Sequence, residues 1–365
     1  MTKPTVLVLA SERVIFEIRL KPLLEELVSS GTLSSFTDVD RDFVTMGSAP
    51  SRFFNSVIAQ RNISTLQWRF LKRTAVPFIY DIDDLLTELP AHRNRNIKAS
   101  NERISWCLTN ARTVTTPNRK LAEELARSTG AGFLDRNHIV ANGLAPPLLK
   151  GPMPQGPADS LLWVSSDLPL VETETPGLVQ VIAETVNELR LRPILVGRFS
   201  GLVKHAFHDC EQIASLDFPS YRQFLARREK TIAIAPLPVY SRDHQAFVDC
   251  KSDIKVVDFL GHAIPAVYSD AYPYRNTDLR PRPLIGGDLR AWKAAIRELA
   301  KQPEHFISCD EVAQVHERRS YGTLANVMGR LIEDAVGPAR PWPRPSLNAK
   351  LRAIEHRLRR WRRRA

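Results

Sequence analysis

Lys251-Ser-Asp-Ile-Lys-Val-Val-Asp-Phe-Leu-Gly-His-Ala-Ile-Pro-Ala-Val-Tyr-Ser-Asp-Ala-Tyr-Pro-Tyr274 reads as a polar loop, a short helix, Gly261 and then a buried strand. Lys251, Ser252 and Asp253 stand where the helix begins, and Val256, Val257, Phe259 and Leu260 give it an apolar side. Ile264 to Val267 suits a buried strand, and Ser269 to Tyr274 the loop leaving it. Exposed N–H groups and a partial positive charge gather at a helix N-terminus, so an anion is favoured there. Lys251 and Lys255 bring full charges to the same place, which makes a seat for a diphosphate. The other reading of the segment is an ordinary capped helix in an α/β domain.

The same alternation runs outward in both directions. Thr5 to Ala10 reads as a first buried strand, and Phe16, Leu20, Leu23, Leu24, Leu27 and Val28 recur at helical spacing up to Gly31. Ser56 to Ala59 and Phe78 to Asp81 read as strands, with a helix near Leu66 to Leu71 between them. Leu121 to Ala126 is helical and Ile139 to Val140 a short strand. Ala145 to Pro157, with Pro146, Pro147, Pro152, Pro154 and Pro157, is a linker. The alternation restarts beyond it with strands at Leu161 to Val164, Ile194 to Val196 and Thr231 to Ala235, and helices at Leu178 to Leu189 and Tyr221 to Arg227. Strands alternating with helices imply parallel sheets covered on both faces. A length of 365 residues exceeds what one core organises. The expected division is a first α/β domain over residues 1–150, a second α/β domain over 151–335 and a separate tail over 336–365.

Several pieces, in order, resemble the bacterial glycosyltransferases of family 4. Lys251-Ser-x-x-Lys255, the acid three positions on at Asp258, then Gly261, Pro265 and Tyr272-Pro-Tyr274 resemble their donor-site segment. Gln60-Arg61 and Val76-Pro-Phe-Ile-Tyr-Asp-Ile-Asp-Asp-Leu-Leu86 resemble the N-terminal lobe of members that build surface polysaccharides. Thr115-Thr-Pro-Asn-Arg-Lys-Leu-Ala122 and Ile139-Val-Ala-Asn-Gly143 match that lobe's last turns. Ile213-Ala-Ser-Leu-Asp217, Tyr221 and Ile232-Ala-Ile-Ala-Pro-Leu237 resemble the nucleotide-binding lobe. The resemblance implies the GT-B fold, two Rossmann-like domains facing a central cleft, and sugar transfer from a nucleotide sugar with retention at the anomeric carbon. It also implies that no cofactor and no metal take part. Two departures stand out. Where many members carry an Arg and a Lys after the first strand of the second lobe, this chain reads Ser165-Ser-Asp-Leu-Pro169. The usual pair of glutamates is reduced to Asp258, with Cys250 at the other position.

Lys251 and Lys255 would neutralise the departing diphosphate, and Asp258 would hydrogen-bond ribose or donor-sugar hydroxyls. Arg198, in Val196-Gly-Arg-Phe-Ser200, together with Ser166, Arg242, Ser252, Asp253 and Tyr274, would complete the donor side. Asp81, Asp83 and Asp84, with His92 and Arg13, would line the acceptor side. Clustered carboxylates also suit a hard cation, and Asp83 or Asp84 could simply cap a following helix. The departures leave room for a non-catalytic subunit of a polysaccharide assembly complex. A nucleotide-sugar epimerase on the same architecture is a further alternative.

Composition narrows the class. Apolar content of 43% is that of a globular protein, and no apolar run reaches the roughly 18 residues of a spanning helix. Cys107, Cys210, Cys250 and Cys309 show neither metal-ligand spacing nor a disulfide framework. The expected location is the cytoplasm. Much of the +11 net charge sits in Ser346 to Ala365, where Lys350, Arg352, Arg357, Arg359, Arg360, Arg362, Arg363 and Arg364 face one acid, Glu355. Leu347, Leu351, Ile354, Leu358 and Trp361 form one helical stripe among them. A basic amphipathic helix of this kind suits the anionic inner face of a membrane; a plain solvated helix packed on the body is the other reading, and nucleic acid is not expected as a partner.

Overall fold

The computed structural model describes residues 3–46, 53–90, 97–144, 152–165, 171, 174–175, 177–197, 199–207, 209–214 and 216–341. Two compact units make up the chain. Among the described residues the first comprises 3–46, 53–89, 97–141 and 321–341, and the second comprises Pro90 and 142–320.

The first unit is built on β1 (Thr5–Ala10), β2 (Ser35–Val39), β4 (Ser56–Gln60), β5 (Phe78–Asp81), β6 (Thr113–Thr116) and β7 (Asn137–Ile139), while β3 (Phe53–Phe54) lies outside this sheet. These six strands form one parallel sheet in the order β2-β1-β4-β5-β6-β7. Val6 to Ala10 and Val57 to Ala59 are fully buried, as expected of strands covered on both faces. The strand order reverses between β1 and β4, and in such sheets ligands bind beyond the carboxyl ends of the strands at that point.

The helical pattern from Phe16 to Val28 is two helices, Arg13–Arg19 and Lys21–Ser29. Pro22 explains the break, because it has no N–H to donate to the carbonyl of Ile18 one turn earlier. That carbonyl instead accepts a hydrogen bond from the Tyr321 hydroxyl at 2.9 Å. Tyr321 opens the helix Tyr321–Asp334, which packs on Lys21–Ser29. Gly329 permits that packing, since a Cβ there would lie 2.9 Å from a methyl of Leu27. The chain therefore returns to the first unit at Tyr321, not at the end of a second domain reaching residue 335. A short antiparallel pair of β3 with β14 (Arg340–Pro341) follows. The basic tail with its Leu347 to Trp361 stripe, and most of the Pro-rich linker, lie outside the described residues.

The second unit carries β8 (Ser160–Ser165), β9 (Arg192–Gly197), β10 (Glu211–Ile213), β11 (Thr231–Ala235), β12 (Ala266–Ser269) and β13 (Leu284–Ile285). The sheet is parallel in the order β10-β9-β8-β11-β12-β13, the doubly wound order that reverses between the first and fourth strands. Leu161, Trp163, Leu195, Ile232 and Ile234 face one core, shared with helices Leu178–Leu189 and Leu289–Lys301. Leu162, Ile194, Val196, Ala233 and Ala235 face the other, shared with Ile254–Gly261 and Cys309–Arg318. Strand side chains alternate between faces, so these near-continuous apolar runs need cover on both sides. Gly261 ends its helix against Leu144, whose methyl would lie 2.4 Å from any Cβ added there. Among the described residues no helix is long and apolar enough to cross a membrane.

Candidate functional site

Each unit gathers charged side chains on its own elements. In the second unit, helix Ile254–Gly261 follows the loop that holds Lys251, Ser252 and Asp253. Lys255 and Asp258 lie three apart and so share a helix face. The Lys255 ammonium is 3.9 Å from Asp258 Oδ2 and 5.7 Å from the centre of the Tyr221 ring. The Tyr221 hydroxyl donates to the same Oδ2 at 3.0 Å. Burial pushes Lys255 below the usual lysine range, and Asp258 opposes that shift without cancelling it. Asp258 is only 6% exposed, its main-chain oxygen meets Nδ1 of His262 at 2.7 Å, and its Oδ1 has no partner among the described residues. Lys251 lies over the Phe247 ring at 3.9 Å. Ser252 is half-buried beside it.

Two donor-side expectations come out differently. Asp253 makes no side-chain cap of the helix. It accepts hydrogen bonds from Arg319 at 2.7 Å and from the Thr277 hydroxyl at 2.6 Å, and Arg319 also pairs with Asp278. Burial alone would lower the Arg319 pKa, but Asp253 and Asp278 outweigh it and raise it. This ion pair welds the end of the second unit to its middle, and the anion-seat reading of Asp253 gives way to it. Arg319 went unmarked in the sequence because nothing near position 253 points to a partner so far along the chain. Tyr274 is 3% exposed, its ring 5.5 Å from that of Tyr268, and is a core residue. Arg242 is exposed in the turn that follows β11, as is Tyr240, which is 76% exposed at the strand where the order reverses. Ser166 and Arg198 lie outside the described residues. Gly197, just before Arg198, has φ +120°, and a Cβ there would sit 2.1 Å from the Ser165 carbonyl oxygen.

In the first unit the Asp81-Ile-Asp-Asp84 run ends β5, as the sequence implies, but its carboxylates divide. Asp81 is fully buried. Both its oxygens accept from Arg19 Nε at 3.0 Å, with Thr115 at 2.7 Å and Gln60 at 3.2 Å completing the shell. It is thus one half of an enclosed ion pair and does not line an acceptor site. Asp83 and Asp84 lie 3.3 Å and 4.0 Å from Arg61, which Glu12 also approaches at 3.3 Å. Burial raises the Asp83 pKa and Arg61 and Arg19 only partly offset it. Burial would lower the Arg61 pKa, but Asp83, Glu12 and Asp84 outweigh it. Arg61 holds a left-handed backbone, φ +53°, a strained conformation for a non-glycine residue. Its carbonyl accepts from the Tyr80 hydroxyl at 2.8 Å and its N–H donates to the Asp81 carbonyl at 2.8 Å. Glu12, Arg61, Asp83 and Asp84 follow the carboxyl ends of β1, β4 and β5, at the strand reversal.

Arg13 pairs with Glu17 at 2.7 Å and lines a cavity of about 190 Å³ with Phe16, Lys21, Phe36 and Asp38. His92 lies outside the described residues. Among the described residues no group of three His, Cys, Asp or Glu side chains could hold a metal ion.

No family model matches the chain, and no curated protein matches it significantly in sequence. Solved structures do. HepE from Anabaena, solved in complex with UDP and glucose, aligns over 91% of this chain and all of its own, with a TM-score of 0.60 at 12% identity. The lipopolysaccharide outer core galactosyltransferase WaaB aligns over 91% of this chain and 99% of its own, with a TM-score of 0.56 at 12% identity. A putative UDP-N-acetylglucosamine 2-epimerase from Listeria monocytogenes covers 94% and 99%, with a TM-score of 0.51 at 13% identity. The chain has the GT-B fold, built from two Rossmann-like units.

Proposed function

We propose that this GT-B chain is a glycosyltransferase that moves a sugar from a nucleoside diphosphate donor to a glycan or lipid-linked acceptor in surface polysaccharide synthesis. The second unit binds the donor and the first the acceptor. The observation that carries the reading is Lys255, half-buried in the first turn of helix Ile254–Gly261 beside an aspartate with an oxygen to spare. A diphosphate gains charge as the glycosidic bond breaks, and a fixed ammonium at a helix N-terminus stabilises that charge. Asp258 Oδ1 accepts a ribose or sugar hydroxyl. The HepE complex with UDP and glucose supports a uridine nucleotide as first probe.

Retention at the anomeric carbon and transfer without a metal belong to the same proposal. Supporting the second, Asp81 is committed to Arg19, and Asp83 and Asp84 flank Arg61. A transfer assay run in chelator, with the product's anomeric configuration read by NMR, tests both points, and abolition by EDTA with rescue by Mg²⁺ would refute the second.

The thermal shift of the full chain with UDP, CDP, ADP and GDP is the primary test. A ligand that binds only the folded state raises the melting temperature. At least one nucleotide does so, and Lys255→Ala weakens it by about 1.5–3 kcal/mol, the scale of a charge-assisted hydrogen bond. Because the Lys255 pKa is lowered by burial, affinity falls on the alkaline side before the ordinary lysine range is reached. A folded Lys255→Ala protein with undiminished affinity would remove Lys255 from the site. Conversion of a nucleotide sugar without any acceptor would favour the epimerase reading, and binding without transfer the non-catalytic one.

The tail pattern supports docking to an anionic membrane surface on the cytoplasmic side. Removal of Ser346 to Ala365 releases the chain from anionic vesicles, and binding of the intact chain weakens with salt but does not vanish, because the Leu347 to Trp361 stripe inserts. Equal co-sedimentation of full-length and shortened chains rules the anchor out.

A further inference from the structure

We propose that Tyr221 is a positioning residue that aims the Asp258 carboxylate at a ribose hydroxyl, and that it thereby sets how strongly the protein prefers ribonucleoside diphosphates to their dideoxy counterparts. The inference rests on the nucleotide reading above and adds to it a residue that touches no ligand.

Asp258 sits in the second turn of helix Ile254–Gly261 and is 6% exposed. A carboxylate on a helix can still turn about its last bond, because that torsion is broad and two-fold. The Tyr221 hydroxyl, 3.0 Å from Oδ2, removes that freedom. With Oδ2 held and Lys255 facing the same oxygen at 3.9 Å, Oδ1 is left in one direction with no described partner. An oxygen left open on an otherwise mostly buried carboxylate is a fixed acceptor, and a ligand hydroxyl can donate to it.

Tyr221 is itself rigidly held. It lies in the first turn of helix Phe218–Ala226, whose start is capped by Asp217 accepting from Ser220 N at 2.8 Å. The Tyr221 N–H donates to the Asp217 carbonyl at 2.8 Å. Burial, and after it the Asp258 charge, raise the phenol's pKa well above its ordinary value, so the hydroxyl keeps its proton and remains a donor. The Lys255 ammonium stands 3.9 Å from the same oxygen, beyond hydrogen-bond distance, so the phenol, and not the ammonium, holds the carboxylate's orientation.

The test compares the tightest of UDP, CDP, ADP and GDP with its 2′,3′-dideoxy form by calorimetric titration of the full chain. The wild-type protein prefers the ribo form by about tenfold or more, as expected for one hydrogen bond to a charged group. Tyr221→Phe narrows that preference to about threefold by losing affinity for the ribo form alone, and Asp258→Asn also narrows it. A merely structural role for Tyr221 would weaken both nucleotides equally, and that result overturns the proposal. An unchanged preference in either variant overturns it too. If none of the four nucleotides binds the wild-type chain, the nucleotide reading falls and takes this inference with it.

Discussion

Asp81→Asn destabilises the first unit by about 3–5 kcal/mol, the cost of stranding one charge of a buried pair. The side chains of Arg19 and Asp81 are 2% and 0% exposed, so no water replaces the lost carboxylate charge. Asp81 also accepts from Thr115 and Gln60, and the amide of Asn cannot satisfy all these donors. The paired replacement Arg19→Met with Asp81→Leu is close to neutral, because the pair's attraction does little more than offset its own desolvation. Urea denaturation of the two proteins measures the contrast. If the single variant loses less than about 1 kcal/mol, the pair is not the closed unit that its burial indicates. The same experiment separates the fold from the site, since an acceptor-lining aspartate would lower transfer without a stability change of this size.

Gly197→Ala removes at least about 3 kcal/mol from the second unit, combining backbone strain with a clash that has no room to relax. The residue has φ +120°, and its added Cβ would lie 2.1 Å from the Ser165 carbonyl oxygen and 3.2 Å from the carbonyl carbon. Main chain cannot swing aside as a side chain does. The pairing of Ser165 with Gly197 closes the β8–β9 ladder at its carboxyl end, so the clash opens the sheet beside its point of reversal. Hydrogen exchange speeds up in β8 and β9 while β1 and β4 keep their protection, and nucleotide binding weakens with it. Wild-type exchange throughout would show that the strand end yields more easily than its geometry allows.

Some of this architecture was open in the sequence. Apolar runs such as Val6 to Ala10, Leu161 to Val164 and Ile232 to Ala235 carry their strand assignment because strands covered on both faces must be apolar throughout. The helix with Lys255 and Asp258 was legible for the same kind of reason, since a spacing of three places two side chains on one face wherever the helix sits. Ser35–Val39 and Glu211–Ile213 were not read as strands. Both are edge strands, short and partly polar, and their pairing is decided by the neighbour that offers free hydrogen-bonding groups. The break at Pro22 had its signal in the sequence, but the hydroxyl that satisfies the abandoned Ile18 carbonyl comes from Tyr321, some 300 residues on.

Periodicity and spacing act over a few residues, so the alternation of strands and helices, the two-unit plan and the Lys255–Asp258 face are legible along the chain. Which charges are spent on the fold is set by long-range packing. Asp81 and Asp83 are two positions apart and chemically identical, yet one is sealed against Arg19 while the other stands with Arg61 at the strand ends. Asp253 and Asp258 divide in the same way, the first taken by Arg319 and the second left with an open oxygen. A carboxylate's role depends on which cation or donor lies within about 3 Å of it, and those partners come from distant segments that only folding brings near.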